Sequence, residues 1–65
     1  MIGSKVKEER LKKGLTILEL AQKAGVSKAS AWRVENNVPT TADVVIKVCK
    51  VLKLYKYFSD NYEFR

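Results

Sequence analysis

The chain has 65 residues and a formal net charge of +6 at neutral pH, with 13 basic and 7 acidic residues. A chain of this length forms one domain with a small core, and its charge favours a polyanionic partner such as nucleic acid or an acidic membrane surface. One cysteine and no histidine exclude an internal disulfide and argue against a structural zinc site. No apolar run is long enough for a membrane span, and the N-terminus lacks a signal-peptide core, so we expect a soluble, cytoplasmic protein.

Glycine and proline divide the chain into helical segments. Gly14 and Gly25 follow apolar-periodic stretches, Pro39 belongs to an extended connector, and no stretch alternates apolar and polar residues between turn signals. We therefore predict a single all-α domain over 1–65. Its five helices should span about 4–13, 17–24, 28–36, 41–52 and 55–60, with a flexible tail over 61–65.

Each of the first four predicted helices has an inward edge at helical spacing. In chain order these edges are Ile2, Val6 and Arg10 with Leu11 nearby; Leu20, Ala21 and Ala24 with Leu18 partly inward; Ala31 and Val34; and Val44, Val45, Val48, Cys49 and Leu52. We interpret Cys49 as a small core residue without a redox role. Lys47, Lys50 and Lys53 should form the solvated face of the fourth helix.

Residues 16–36 carry the most informative pattern in the chain. Thr16 and Ser27 are placed to cap two short helices, and Gly25 supplies the positive φ that a sharp turn between them needs. Asn36 and Asn37 tolerate the left-handed conformation and are expected to end the second of these helices. Two short helices joined in this way form a helix-turn-helix, whose second helix enters the major groove of DNA.

Several short motifs resemble the Cro and repressor (XRE-type) family of lambdoid phages and bacteria. The matching pieces are Val6-Lys7-x-x-Arg10, Gly14-Leu15-Thr16, Glu19-Leu20-Ala21, Ala24-Gly25-Val26-Ser27, Glu35-Asn36 and Val48-Cys49-x-x-Leu52, and the resemblance covers about residues 2–58. It implies a compact five-helix fold, binding to operator DNA as a two-fold dimer, and regulation of transcription. Ile17 stands where relatives often have a phosphate-contacting Gln, Ala31 replaces a larger residue, and Trp32 replaces a polar one.

The exposed half of the third helix is the predicted base-reading surface. By spacing it comprises Ser27, Lys28, Ala29, Trp32 and Arg33, and the resemblance places Lys28, Ala29 and Arg33 at base-reading positions. Arg33 could bind guanine in a bidentate manner, and Ala29 could contact a thymine methyl group. Lys28 and Arg33 could instead be ordinary solvated charges. Trp32 could stack on DNA, pack beside Ala31 or anchor a protein partner.

Phosphate contacts are expected around this surface. The candidates are the helix-start N–H groups of Ile17 and Leu18 and the side chains of Thr16, Ser30, Asn36, Asn37, Thr40 and Thr41. Most of these are neutral, while Lys47, Lys50, Lys53 and Lys56 should face away from the duplex. We therefore expect modest affinity and a shallow salt dependence.

Two further assignments come from the resemblance. Relatives pair the positions of Arg10 and Glu35 in a partly buried salt bridge, which would hold the third helix against the first; both side chains could otherwise extend to water. The region of the fifth helix joins subunits in relatives, so Tyr55, Tyr57 and Phe58 are predicted to form the interface of a weak homodimer that DNA strengthens. These aromatics could also bind a protein partner, or belong to a frayed tail on a monomer.

The pattern as a whole predicts a sequence-specific regulator of transcription that binds double-stranded DNA at a pseudo-palindromic operator, as a Cro-like or repressor-type protein. The alternative is a protein-binding module on the same fold, such as an antirepressor or an antitoxin. An enzyme is not expected, because the chain lacks histidine, a glycine-rich phosphate loop and clustered carboxylates. No cofactor or metal is expected.

Overall fold

The computed structural model describes residues 2–54, and in this range the chain forms four α-helices and no strand. They are α1 (Ile2–Lys12), α2 (Ile17–Ala24), α3 (Lys28–Glu35) and α4 (Ala42–Val51). The all-α class predicted from the sequence is confirmed, and the predicted helix ends agree within two residues. The predicted fifth helix over 55–60 and the tail over 61–65 lie outside the described residues.

Three of the helices begin at a hydroxyl cap. Thr16, Ser27 and Thr41 precede α2, α3 and α4, and the side chain of each accepts from a backbone N–H one turn further on. At α2 the cap is reciprocal, because Glu19 also accepts from the N–H of Thr16 at 2.8 Å. Each such cap contributes about 1 kcal/mol to helix stability.

Left-handed residues end the helices where the sequence predicts a turn. Gly14 and Gly25 have φ of 68° and 73°. At the end of α3 only one of the two asparagines takes this conformation: Asn37 has φ 58°, whereas Asn36 has φ −101°. The expectation that both could be left-handed is thus met by Asn37 alone.

The core is built from all four helices and the turn after α4. The fully buried side chains include Val6, Leu20, Val48, Cys49 and Leu52. Burying an aliphatic side chain of this size contributes roughly 1.5–3 kcal/mol. Burial also raises the pKa of the Cys49 thiol to about 11, because the apolar surroundings disfavour the thiolate.

Two leucines are exposed although the sequence pattern placed them near the core. Leu11 is 58% exposed and Leu18 is 48% exposed. The cause is helical geometry, since successive residues are rotated by about 100°. Leu11 therefore turns away from the buried edge that Arg10 marks, and Leu18 lies nearly opposite Leu20. Leu11, predicted near the inward edge of α1, is therefore not part of it, and Leu18, predicted to be partly inward, is about half exposed.

The exposed side of α4 carries Lys47 and Lys50, with Lys53 in the turn that follows, as the sequence predicts. Lys47 pairs with Asp43 at 3.1 Å on the same helix. Among residues 2–54, no helix is long and apolar enough to cross a membrane.

Candidate nucleic-acid interface

The turn between α2 and α3 is fixed by Gly25. Its left-handed backbone lets its own N–H donate to the carbonyl groups of Ala21 and Gln22, and Val26 N–H donates to the Ala21 carbonyl at 3.0 Å. These bonds satisfy the carbonyl groups of Ala21 and Gln22, two of the last four in α2, before the chain reverses into the Ser27 cap. The two helices therefore meet across a short, hydrogen-bonded turn.

The third helix has two chemically different faces. Ala31, Val34 and Glu35 are buried against the rest of the domain. The opposite face carries Lys28, Ala29, Trp32 and Arg33, all of them exposed. These are four of the five predicted base-reading residues, and helical spacing gathers them on one surface. No described carboxylate pairs with Lys28 or Arg33, so this surface carries two uncompensated positive charges.

Ser27, the fifth predicted base-reading residue, is occupied by its capping role. Its hydroxyl accepts from the N–H of Ser30 at 3.0 Å and donates to the Ser30 hydroxyl at 2.9 Å. The Ser27 hydroxyl is thus held within the first turn of α3, beside the Ser30 hydroxyl.

Trp32 is 48% exposed, so half of its surface is available to a ligand. Its backbone carbonyl accepts from the N–H of Asn36 at 3.0 Å and from the Asn36 side-chain amide at 2.9 Å, and these bonds fix the backbone at the end of α3. The side chain of Trp32 lies on the face that Lys28 and Arg33 share.

At the start of α2, some backbone N–H groups are not used by the Thr16–Glu19 cap. Thr16 and Glu19 satisfy each other's N–H groups at 3.0 and 2.8 Å. In a helix the first N–H groups have no carbonyl partner within the helix, which leaves those of Ile17 and Leu18 directed out of its positive end. Such a helix start is suited to an anion.

The other predicted phosphate contacts lie at the end of α3 and the start of α4. Asn36, Asn37 and Thr41 are exposed, and Thr40 is half-buried. The Thr41 hydroxyl accepts from Val44 N–H at 3.3 Å, and the side-chain oxygen of Asn37 accepts from Gly3 N–H at 3.1 Å. In both residues the polar group used inside the domain is an acceptor, so a donor remains for an outside group.

A buried ion pair ties α3 to α1. Arg10 Nε donates to Glu35 Oε2, and Arg10 Nη2 donates to Glu35 Oε1 at 3.2 Å. Arg10 Nη1 donates in addition to the carbonyl of Leu15 at 2.7 Å. The structure therefore contains the pair that the resemblance implies, and one guanidinium fixes the positions of α1, the α1–α2 turn and α3.

The contact between Gly3 and Asn37 was not anticipated from the sequence. Gly3 is buried, and a side chain there would meet the carbonyl oxygen of Glu35 at 2.5 Å and Asn37 Oδ1 at 2.7 Å. The available signal was its position on the same edge of α1 as Ile2 and Val6. A glycine there allows the start of α1 to approach the end of α3 closely.

The predicted dimer residues Tyr55, Tyr57 and Phe58 lie outside the described residues, as does Lys56.

Two capped helices, a left-handed glycine between them, and a third helix whose outer face is free of the core together make a helix-turn-helix. The family comparison agrees, because a helix-turn-helix family model matches residues 6–56. The chain belongs to this helix-turn-helix family.

Two curated relatives are similar in sequence to part of this chain. The chain is 41% identical over 44 residues to the HTH-type transcriptional regulator SinR of Bacillus subtilis (strain 168) and, to the same extent, to SinR of Bacillus licheniformis. The match covers 68% of this chain and 40% of each relative, so it spans less than half of those proteins. No solved structure matches the chain significantly.

Proposed function

We propose that this protein is a sequence-specific regulator of transcription that binds double-stranded DNA through the outer face of α3. The observation that carries the proposal is the division of α3 into a buried face and an exposed face bearing Lys28, Ala29, Trp32 and Arg33. Helix-turn-helix proteins place this face in the major groove. Support also comes from the two relatives, which are named as transcriptional regulators.

Each exposed side chain of α3 has a chemical role in this proposal. Arg33 makes a bidentate contact with guanine N7 and O6, and Lys28 donates to a base acceptor or a phosphate. Ala29 contacts a thymine methyl group, and Trp32 stacks its exposed half on sugar or base. A well-formed bidentate contact discriminates against a wrong base by about 1–3 kcal/mol.

Phosphate contacts set the orientation of α3 on the duplex. The N–H groups of Ile17 and Leu18 would bind one phosphate at the start of α2. The hydroxyl and amide donors of Thr16, Ser30, Asn36, Asn37, Thr40 and Thr41 would bind others on either side of α3. These contacts add affinity but carry no sequence information.

We also propose that the protein acts as a homodimer on a pseudo-palindromic operator, in a Cro-like or repressor-type role. A two-fold dimer would place two copies of α3 about 34 Å apart, which is one turn of DNA. The proposed interface includes Tyr55, Tyr57 and Phe58, and the dimer is expected to be weak without DNA. A binding role without catalysis is part of the same proposal.

The test starts from a pool of random duplexes. Selection on immobilised protein yields bound sequences, and titration of one such duplex against the protein gives a Kd from the fluorescence of Trp32, the single tryptophan of the chain. Arg33→Ala should weaken binding to the selected duplex tenfold or more and reduce the preference over random DNA. The matched control is Lys47→Ala, which removes an exposed cation from α4.

The contrary result is equally clear. If no sequence is enriched at low salt, or if Arg33→Ala and Lys47→Ala behave alike, α3 does not read bases. The half-exposed Trp32 and the exposed Leu18 would then favour the alternative, a protein-binding module such as an antirepressor or antitoxin.

A further inference from the structure

A concave surface lies between the α1–α2 turn and the first residue of α3. Its volume is about 640 Å³. Four of the eight residues that line it have apolar side chains, and the cation Lys28 lines it as well. Leu11 and Leu18 are exposed there. Ile17 is half-buried, but it is not one of the partly buried side chains that pack against the core. The packing of the core therefore does not by itself require an isoleucine at this position.

Ile17 and Lys28 are the first residues of their helices, α2 and α3, and they line this surface together. Their side chains differ in what they can bind: the isoleucine has no donor or acceptor, and the lysine has only donors. An isoleucine can distinguish bases only by apolar contact. In the major groove the apolar group that a base displays is the methyl group of thymine.

We propose that Ile17 reads a thymine methyl group in the base pair next to the one that Lys28 contacts. The inference rests on the proposed function and adds a specificity determinant on α2 to those on α3. Here Lys28 makes the base contact rather than the phosphate contact and donates to guanine N7 or O6. The two side chains together would then favour DNA in which a thymine and a guanine are adjacent. The positive charge of Lys28 also favours a nucleic acid over an uncharged apolar ligand on this surface.

The experiment removes one methyl group at a time. In the selected duplex each thymidine is replaced singly by deoxyuridine, which lacks only the methyl group, and the Kd is measured with the full chain. At one position next to a guanine the wild-type protein should bind about fourfold more weakly, the value of one buried methyl group at about 0.8 kcal/mol. Ile17→Ala should bind the two duplexes equally well.

Two further variants separate a specific contact from a general loss of structure. Leu11→Ala alters the same surface from α1 and should keep the fourfold effect of the methyl group. Ile17→Gln keeps a long side chain at the start of α2 but removes its apolar end, and it should lose the effect. Thermal melting of each variant establishes that it is folded.

The outcomes are distinct. If the Ile17 variants retain the wild-type methyl effect at every thymine, the inference is overturned while the proposed function stands, and the apolar surface is left to a protein partner. If the wild-type protein shows no methyl effect at any thymine, the inference and the proposed Ala29 contact both fail, while base reading by Arg33 stands. If no duplex is selected at all, the proposed function itself fails and the inference fails with it.

Discussion

Arg10 and Glu35 form a buried ion pair that joins the last turn of α1 to the last residue of α3. The two residues are 25 positions apart in the sequence. Both side chains are almost fully covered, so neither has water as an alternative partner. The pair therefore sets the position of α3, and with it the direction of the face that carries Lys28 and Arg33.

Arg10→Met should destabilise the domain by about 3–5 kcal/mol, because it leaves the Glu35 carboxylate buried without its partner. The double variant Arg10→Met with Glu35→Leu should recover part of that loss, since no charge is then buried. The measurement is the free energy of unfolding in urea. A loss below about 1 kcal/mol for the single variant would contradict the structural role of the pair.

Gly3→Ala should destabilise the domain by roughly 1–3 kcal/mol through overpacking. The added Cβ would lie 2.5 Å from the Glu35 carbonyl oxygen and 2.8 Å from that of Val34, so α1 and α3 must move apart. The control is Ser4→Ala, at the next position of α1 and exposed. Thermal unfolding of both variants provides the comparison, and equal melting temperatures would show that this close approach is not required.

Lys53→Gly should stabilise the domain by roughly 0.5–1 kcal/mol. Lys53 has φ 58°, a conformation that costs a side-chain-bearing residue about 1–2 kcal/mol and glycine almost nothing. The same change inside α4, Lys47→Gly, should destabilise by about 1 kcal/mol, because glycine is a poor helix former. Urea unfolding gives both values, and a destabilising effect at position 53 would refute the prediction.

The stability of the domain should fall as the pH rises from about 9 to 11, in part because of Cys49. The thiol has a pKa of about 11 in the folded chain and ordinarily 9.0, so in this interval the unfolded chain binds fewer protons than the folded one. Below pH 9 the thiol is protonated in both states and contributes no pH dependence. The contribution reaches about 3 kcal/mol at most.

The comparison that isolates this effect is the slope of unfolding free energy against pH for wild type and Cys49→Ala. The variant keeps the lysine and tyrosine titrations but should lose the share due to the thiol. The same burial predicts that Cys49 in the folded protein reacts slowly with a thiol reagent at pH 8. Identical slopes, or rapid labelling without unfolding, would show that the thiol is not buried.

Binding to the selected duplex should depend only weakly on salt, since most proposed phosphate contacts are neutral donors. Each phosphate neutralised by a cation adds about 0.9 to the slope of log K against log salt concentration. If Lys28 contacts a phosphate, Lys28→Ala should reduce the slope by about 1. If Lys28 contacts a base instead, the salt slope of Lys28→Ala should stay closer to that of wild type, while the preference of the variant for the selected duplex over random DNA falls. Lys47→Ala should change neither the salt slope nor the sequence preference. An equal effect of Lys28→Ala and Lys47→Ala would show that the duplex does not bind specifically at the outer face of α3.

Much of the fold could be predicted from local signals. Thr16, Ser27 and Thr41 begin helices because their hydroxyl groups satisfy the first N–H groups, and Gly25 turns the chain because it has no Cβ. Such effects depend on neighbouring residues, so the sequence displays them directly. The exposed face of α3 follows in the same way from helical spacing.

Other features depend on which helices meet. The close approach at Gly3 depends on the end of α3, and the position of Gly3 beside Ile2 and Val6 shows only that it faces inward, not what it meets. Leu11 and Leu18 look like core residues by type, but the buried edges of their helices are already occupied by Arg10 and Leu20. The cap at Ser27 was predicted, but its second hydrogen bond, to the Ser30 hydroxyl, became visible only with the placement of the Ser30 side chain.

Three of the four outer side chains of α3 take no part in what holds the domain together. Lys28, Ala29 and Arg33 contribute neither to the core, nor to a cap, nor to an ion pair of the described residues. Substitutions at these three positions should therefore leave folding nearly unchanged. The DNA sequence that the domain prefers could thus be changed by exchanging a few exposed side chains, without redesign of its interior.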